Sequence, residues 1–218
     1  MVMPLRPRMF RRSESGATMI EMTIVIQLLF IAVFGFIDFG FALFQWNQAS
    51  KAVQIGARLA AVSGPVDSSL SSYTGGSGDP TCVSGSPGCP GGPMIPFATR
   101  TCDRVGVGNC TNGGTFDAAS FDRIWAGSDG VCSSPVGRLG MCDIFSRIER
   151  QHIVVTYEYS GLGYATRPGG PIPTIQVRLQ NMTFDYFFLD GLLGFAQLTI
   201  PSMTSTITGE DLSTTWTN

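Results

Sequence analysis

The chain has 218 residues, with 14 Lys+Arg against 16 Asp+Glu, one His, six Cys and a formal net charge of −2. That length suits one hydrophobic core with an appendage. The near-balanced charge offers no basic surface to hold a phosphate backbone, so no nucleic-acid partner is expected. A single Lys and a single His also exclude a P-loop and an HExxH zinc site. Charged residues are 14% of the chain, below the ~25% usual in soluble domains. Gly, Pro, Ser and Thr take their place, which points to a loop-rich chain outside the cytosol.

Residues 1–16 carry Arg6, Arg8, Arg11 and Arg12 against Glu14 and read as a basic leader. Met22 to Ile37 is then free of charge, and between Ala17 and Trp46 the only charges are Glu21 and Asp38. Those two stand about 25 Å apart along a helix, close to the ~30 Å thickness of a hydrocarbon core. Met19–Phe41 is therefore expected to span, with Glu21 near one headgroup layer, Asp38 near the other, and Phe44 and Trp46 as an interfacial anchor. A lone spanning segment must be a helix, because lipid offers the backbone no partners. The arginine bias predicts a cytoplasmic N-terminus and residues 47–218 outside. The alternative, a cleaved secretory signal, needs a shorter apolar region and an earlier small-residue site than Ala57, Ala60 and Ala61.

Gly16 immediately precedes the apolar run, and Glu21 follows it by five residues. A cut after Gly16 would place the new ammonium of Ala17 one turn from the Glu21 carboxylate, on the same helix face. The bland alternative is that Glu21 snorkels to the cytoplasmic interface.

Gly16-Ala17-Thr18-Met19-Ile20-Glu21, the acid in Phe36-Ile37-Asp38-Phe39-Gly40, and Asn47, Ala52, Gly56, Ala57 and Arg58 together resemble the TadE-like family, the pseudopilins of tight-adherence (Flp) pilus systems. The resemblance is dense over residues 14–62 and weaker at residues 203–212. It implies leader cleavage between Gly16 and Ala17 by a prepilin peptidase and helix pairing through Glu21. It further implies a place at the bacterial inner membrane, with other pseudopilins and the pilus assembly platform as partners, in a system serving cell adhesion. The large ectodomain distinguishes the chain from the very short major pilins.

Residues 17–63 are read as the spanning helix and its periplasmic extension, and 64–218 as the ectodomain. Ala49, Ala52, Val53, Gly56, Ala57, Ala60 and Ala61 form a small-residue stripe at helical spacing, able to seat either the ectodomain's sheet or another helix. Gly64-Pro65 ends the helix. From Val66 to Arg100 the chain is a long Ser/Gly/Pro loop. Cys82, Cys89, Cys102, Cys110, Cys132 and Cys142 all follow the helix, which reads as three disulfides in an oxidising periplasm. Of fifteen connectivities the sequential one (82–89, 102–110, 132–142) is preferred, since each bridge closes a tight, turn-rich loop. Zinc is the rival, but no C-x2-C occurs.

Phe116–Ala126 and Cys142–Gln151 show helical spacing. His152–Tyr159 and Thr174–Gln180 alternate as strands, and Ser202–Thr208 is rich in strand formers. The fold class is thus α+β, with three or four antiparallel strands against the helical stalk. The aromatic run Phe184–Leu193 is read as core, as a contact with another pilus component, or as a lipid-touching surface, with core preferred. No catalytic residue, cofactor site or metal site is assembled: His152 stands alone, and Asp103, Asp117, Asp122, Asp129 and Asp143 lack EF-hand spacing and are read as caps and solvated groups. The expected function is that of a non-enzymatic, membrane-anchored pseudopilin. The alternative is a stand-alone anchored ectodomain that binds a ligand or surface through its stapled loops.

Overall fold

The computed structural model describes residues 14–132, 137–167, 170–183, 186–188, 199 and 201–209. The leader arginines and most of the 189–200 stretch therefore lie outside the described residues, as does the C-terminal Gly209–Leu212 motif beyond Gly209.

Helix α1 (Glu14–Val62) is one uninterrupted helix of 49 residues, about 73 Å long at 1.5 Å per residue. Its two halves differ in chemistry. From Thr18 to Val33 every described side chain is exposed. From Asp38 onward a single stripe at three- and four-residue steps is buried: Asp38, Gln45, Ala49, Ala52, Val53, Ala57, Ala60 and Ala61. Lys51, Gln54 and Arg58 keep to the solvent side. The stripe is made of small side chains, so neighbouring backbone can approach closely. At Gly56 an added Cβ would lie 2.4 Å from Met141 Sδ.

That stripe is the floor of the core. Strands β1 (Arg100–Asp103), β2 (Asn109–Cys110), β3 (Ile153–Leu162), β4 (Ile172–Leu179) and β5 (Met203–Thr208) form one antiparallel sheet in the order β2-β1-β3-β4-β5. β4 and β5 pack on α1, as do the short helices α2 (Ala118–Ala126) and α3 (Met141–Ile144). Alternation works as the sequence predicts. In β4, Ile175, Val177 and Leu179 turn inward, and in β3 Ile153, Val155 and Tyr157 do the same. The stripe therefore seats the sheet, with α3 packed beside Gly56.

A polar hub pins the chain where it leaves α1. Asp67 is fully buried and accepts hydrogen bonds from Ser69 N (3.1 Å), Ser69 Oγ (2.6 Å) and Thr115 N (2.8 Å), with Arg100 Nη1 3.3 Å away. Next to it, Val66 N donates to the Tyr157 hydroxyl at 2.9 Å. Burial pushes the Tyr157 phenol well above its ordinary range, so it stays neutral and can both accept from Val66 and donate. A Cβ at Gly114 would lie 2.6 Å from Asp67 Oδ2, which shows how closely the loops shut over this carboxylate.

The disulfides are Cys82–Cys89, Cys102–Cys110 and Cys132–Cys142, the sequential connectivity. Cys102 and Cys110 are register partners across β1 and β2, so their bridge closes the hairpin. Loops of this size contribute on the order of 2–3 kcal/mol each by restricting the unfolded chain. Thiol labelling of unreduced, denatured protein is expected to find no free cysteine; two or more reactive thiols would contradict the three-bridge structure.

Two expectations need correction. The sheet has five strands rather than three or four, because β1 and β2 were not foreseen in the Cys/Gly-rich segment around them. The helix expected over Cys142–Gln151 is one turn, α3, and a separate 3-10 turn at Arg150–His152. Phe145 leaves the helix with extended backbone (φ −139, ψ 97). Ile148 then accepts a hydrogen bond from Trp125 Nε1 at 2.7 Å. Phe145 and Ile148 are buried as their spacing implied, but by tertiary contacts rather than by a continuing helix.

Candidate functional site

The junction lies inside α1. Gly16, Ala17 and Glu21 belong to one continuous helix, so the four-residue step from 17 to 21 places both positions on one face. Glu21 is exposed. Among the described residues no side chain crowds Gly16: a Cβ built there meets nothing within 4 Å.

The next part of the helix presents apolar side chains on all sides. Met19, Leu28, Phe36 and Phe39 are 75%, 62%, 78% and 62% exposed, the pattern of a helix facing lipid all round rather than one seated in a soluble core. Among the described residues this is the one helix long and apolar enough to cross a membrane.

At Asp38 the surroundings change. This carboxylate, expected from the sequence near a headgroup layer, is fully buried within the protein. Its Oδ1 accepts from Phe187 N at 2.9 Å, and its Oδ2 from Phe188 N at 3.1 Å. A carboxylate in an apolar span costs about 2.5–3.5 kcal/mol on insertion scales, and two charge-assisted amide hydrogen bonds offset that cost. The two rings straddle the acid. Phe188 stacks on Phe34, one turn nearer the N-terminus, and Phe187 packs on Phe41, one turn nearer the ectodomain, each with centroids 4.5 Å apart. Of the described part of the aromatic run, Tyr186 is half-buried against the core, the reading preferred from sequence, whereas Phe187 and Phe188 pack on α1 outside it. Phe187 and Phe188 remain 65% and 39% exposed on their outer sides.

Two turns further on, buried Gln45 accepts from Arg147 Nη1 at 3.0 Å. The stalk is therefore gripped twice, at Asp38 by a loop backbone and at Gln45 by a guanidinium. Sequence reasoning missed both grips. The available signal was Asp38 itself, an acid inside an apolar run with no reason to be there.

The other candidates have structural roles. His152 Nδ1 accepts the Glu149 amide at 3.1 Å and closes a turn. Asp117 caps α2, Asp143 accepts the Gly140 amide at the start of α3, and Asp103 and Asp129 each close a short turn. Asp122 joins Arg104 (2.5 Å) and Arg150 (2.8 Å). Burial alone would raise its carboxyl, but hydrogen bonds and charge from the two arginines prevail and hold it below the usual carboxylate range. Arg150 also lies over the Trp125 ring at 3.7 Å. The shallow cleft beside them is lined by Arg104, Trp125, Glu149 and Arg150, whose polar groups are engaged by Asp122, the Ile148 carbonyl and Gln151. Among the described residues no three metal-ligating side chains converge.

Fold and site together define a class: an α+β domain, stapled by disulfides, whose spine is the second half of one N-terminal helix with an apolar first half long enough to cross a membrane. Residues 16–58 match the family model of TadE-like proteins. The match opens on the junction glycine and ends at Arg58, so the junction, apolar run, Asp38 and most of the small-residue stripe fall inside it. No curated protein and no solved structure matches the chain.

Proposed function

We propose that the protein is a membrane-anchored, non-enzymatic pseudopilin that takes part in assembling a tight-adherence pilus. The carrying observation is the single helix that runs from the Gly16–Ala17 junction through Glu21 and a lipid-facing stretch into the floor of an ectodomain core. Such a helix can be cut, held in the bilayer, packed against similar helices and still present a folded domain outside. In this reading a prepilin peptidase removes residues 1–16, and Ala17 and Glu21 supply a cation–anion pair for helix packing. Other pseudopilins and the assembly platform of the bacterial inner membrane are the partners. The leader arginines hold the N-terminus in the cytoplasm, and the disulfide-rich part lies in the periplasm.

Deletion of the gene with complementation tests this. Surface pili should be lost on deletion and restored by the intact gene. Pili of normal number and length in the deletion strain would sink the assembly role and favour a stand-alone anchored ectodomain.

A further inference from the structure

The buried stripe of α1 does not stop where the span is expected to end. It continues down to Phe34, which is half-buried beneath Phe188. Counted from Glu21, a hydrocarbon core of ~20 residues reaches Gly40; counted from Ala17, it reaches Phe36. Under either count the Phe188 ring, stacked on Phe34, lies at the depth of acyl chains. Gln45, Trp46 and Arg147 lie about 10 Å further along the helix from Asp38. An aromatic and a cation there suit the headgroup layer.

We infer that the Phe187–Phe188 turn is a second lipid contact: an aromatic wedge inserted into the outer leaflet beside α1 and latched there by Asp38. This rests on the membrane-anchored reading of the chain. The occupant is lipid because Phe187 and Phe188 are exposed where they pack on Phe41 and Phe34, at the same level of α1 at which Phe36, Ile37 and Phe39 are exposed and the span is expected to face acyl chains. Asp38 gives the latch its polarity. Two loop amides that would otherwise enter the leaflet unpaired end on its carboxylate. The consequence is mechanical: the ectodomain cannot swing freely on its stalk, and drawing the helix out of the bilayer must also draw out the wedge.

The test uses the full chain in vesicles of phosphatidylethanolamine and phosphatidylglycerol. All six native cysteines are bridged, so an introduced Phe187→Cys carries the one free thiol for an environment-sensitive fluorophore. Leu28→Cys marks the middle of the apolar helix, and Val107→Cys marks the exposed loop between β1 and β2. Lipids carrying a nitroxide high on the acyl chain should quench the label at 187, and deeper nitroxides the label at 28, with neither quenching at 107. Adding Asp38→Ala should abolish quenching at 187 and leave quenching at 28 intact. Since Asp38 lies outside the sheet-and-helix core, the disulfides should still form in that variant. A label at 187 that behaves like 107 while 28 is quenched overturns the wedge and leaves the anchor standing. Emission at 187 that follows protein density rather than nitroxide depth overturns it in favour of a second copy of the chain. Absence of quenching at 28 overturns both readings.

Discussion

Asp67→Ala is expected to lower the unfolding midpoint of the full chain in detergent on the order of 10 °C, from a loss of about 3–5 kcal/mol. The carboxylate is wholly buried, and Arg100 beside it is only 16% exposed. Removing the acid strands a buried guanidinium without its counter-charge. It also frees the Thr115 amide and both Ser69 donors that end on Oδ1. These contacts hold the segment leaving α1 against the strand-like residues before α2, where Asp117 N donates to Val66 O and Ser68 N to Thr115 O. Loss therefore spreads to the seam between stalk and ectodomain. Asp79→Ala is the matched control. Asp79 makes the same kind of turn, accepting from Thr81 N and Oγ1, but in solvent, and its removal should leave the midpoint unchanged. Equal midpoints for the two variants would show that the Asp67 hub holds nothing together.

The second large effect lies at the other end of the molecule. Gly16→Leu should leave the chain unprocessed, whereas Glu21→Ala should be processed, stable and membrane-resident yet fail in pilus assembly. The two separate because of where each residue sits. Among the described residues nothing approaches a Cβ at position 16, so leucine there is expected to be accepted by the fold and any block to belong to the peptidase. Glu21 is exposed on the apolar half of α1 and lies outside the hydrophobic core of the described residues, so its loss should leave the monomer's core intact. What it removes is the carboxylate available to an Ala17 ammonium in a neighbouring helix, and such pairing matters only where helices pack together. Western blotting for the size shift, together with pilus counts, reads both outcomes. Normal piliation by Glu21→Ala would reduce Glu21 to a snorkelling acid.

The parts legible in the sequence share one property: their signal is local. The apolar run needs no partner to be helical, and Gly64-Pro65 stops it two residues after Val62. β3 and β4 alternate strongly enough that their inward faces read directly from the residues, and β5 shows itself by its Thr and Ile content. The disulfide pairing followed from loop length. What was hidden depends on distant chain. β1 and β2 are four and two residues long, too short to show alternation, and exist because β3 and the Cys102–Cys110 bridge hold them. Phe145 and Ile148 have helical spacing, but a tertiary hydrogen bond from Trp125 and the reach of Arg147 to Gln45 reward an irregular path instead. Asp38 and the Phe187–Phe188 turn are separated by about 150 residues in sequence, and composition alone could not bring them together.

The account stands most directly on where the mature chain begins. N-terminal sequencing of the protein isolated from membranes of cells that contain a prepilin peptidase should read Ala-Thr-Met-Ile-Glu, starting at Ala17. An N-terminus at the initiator end, or one beyond the apolar run near Ala61, would contradict it.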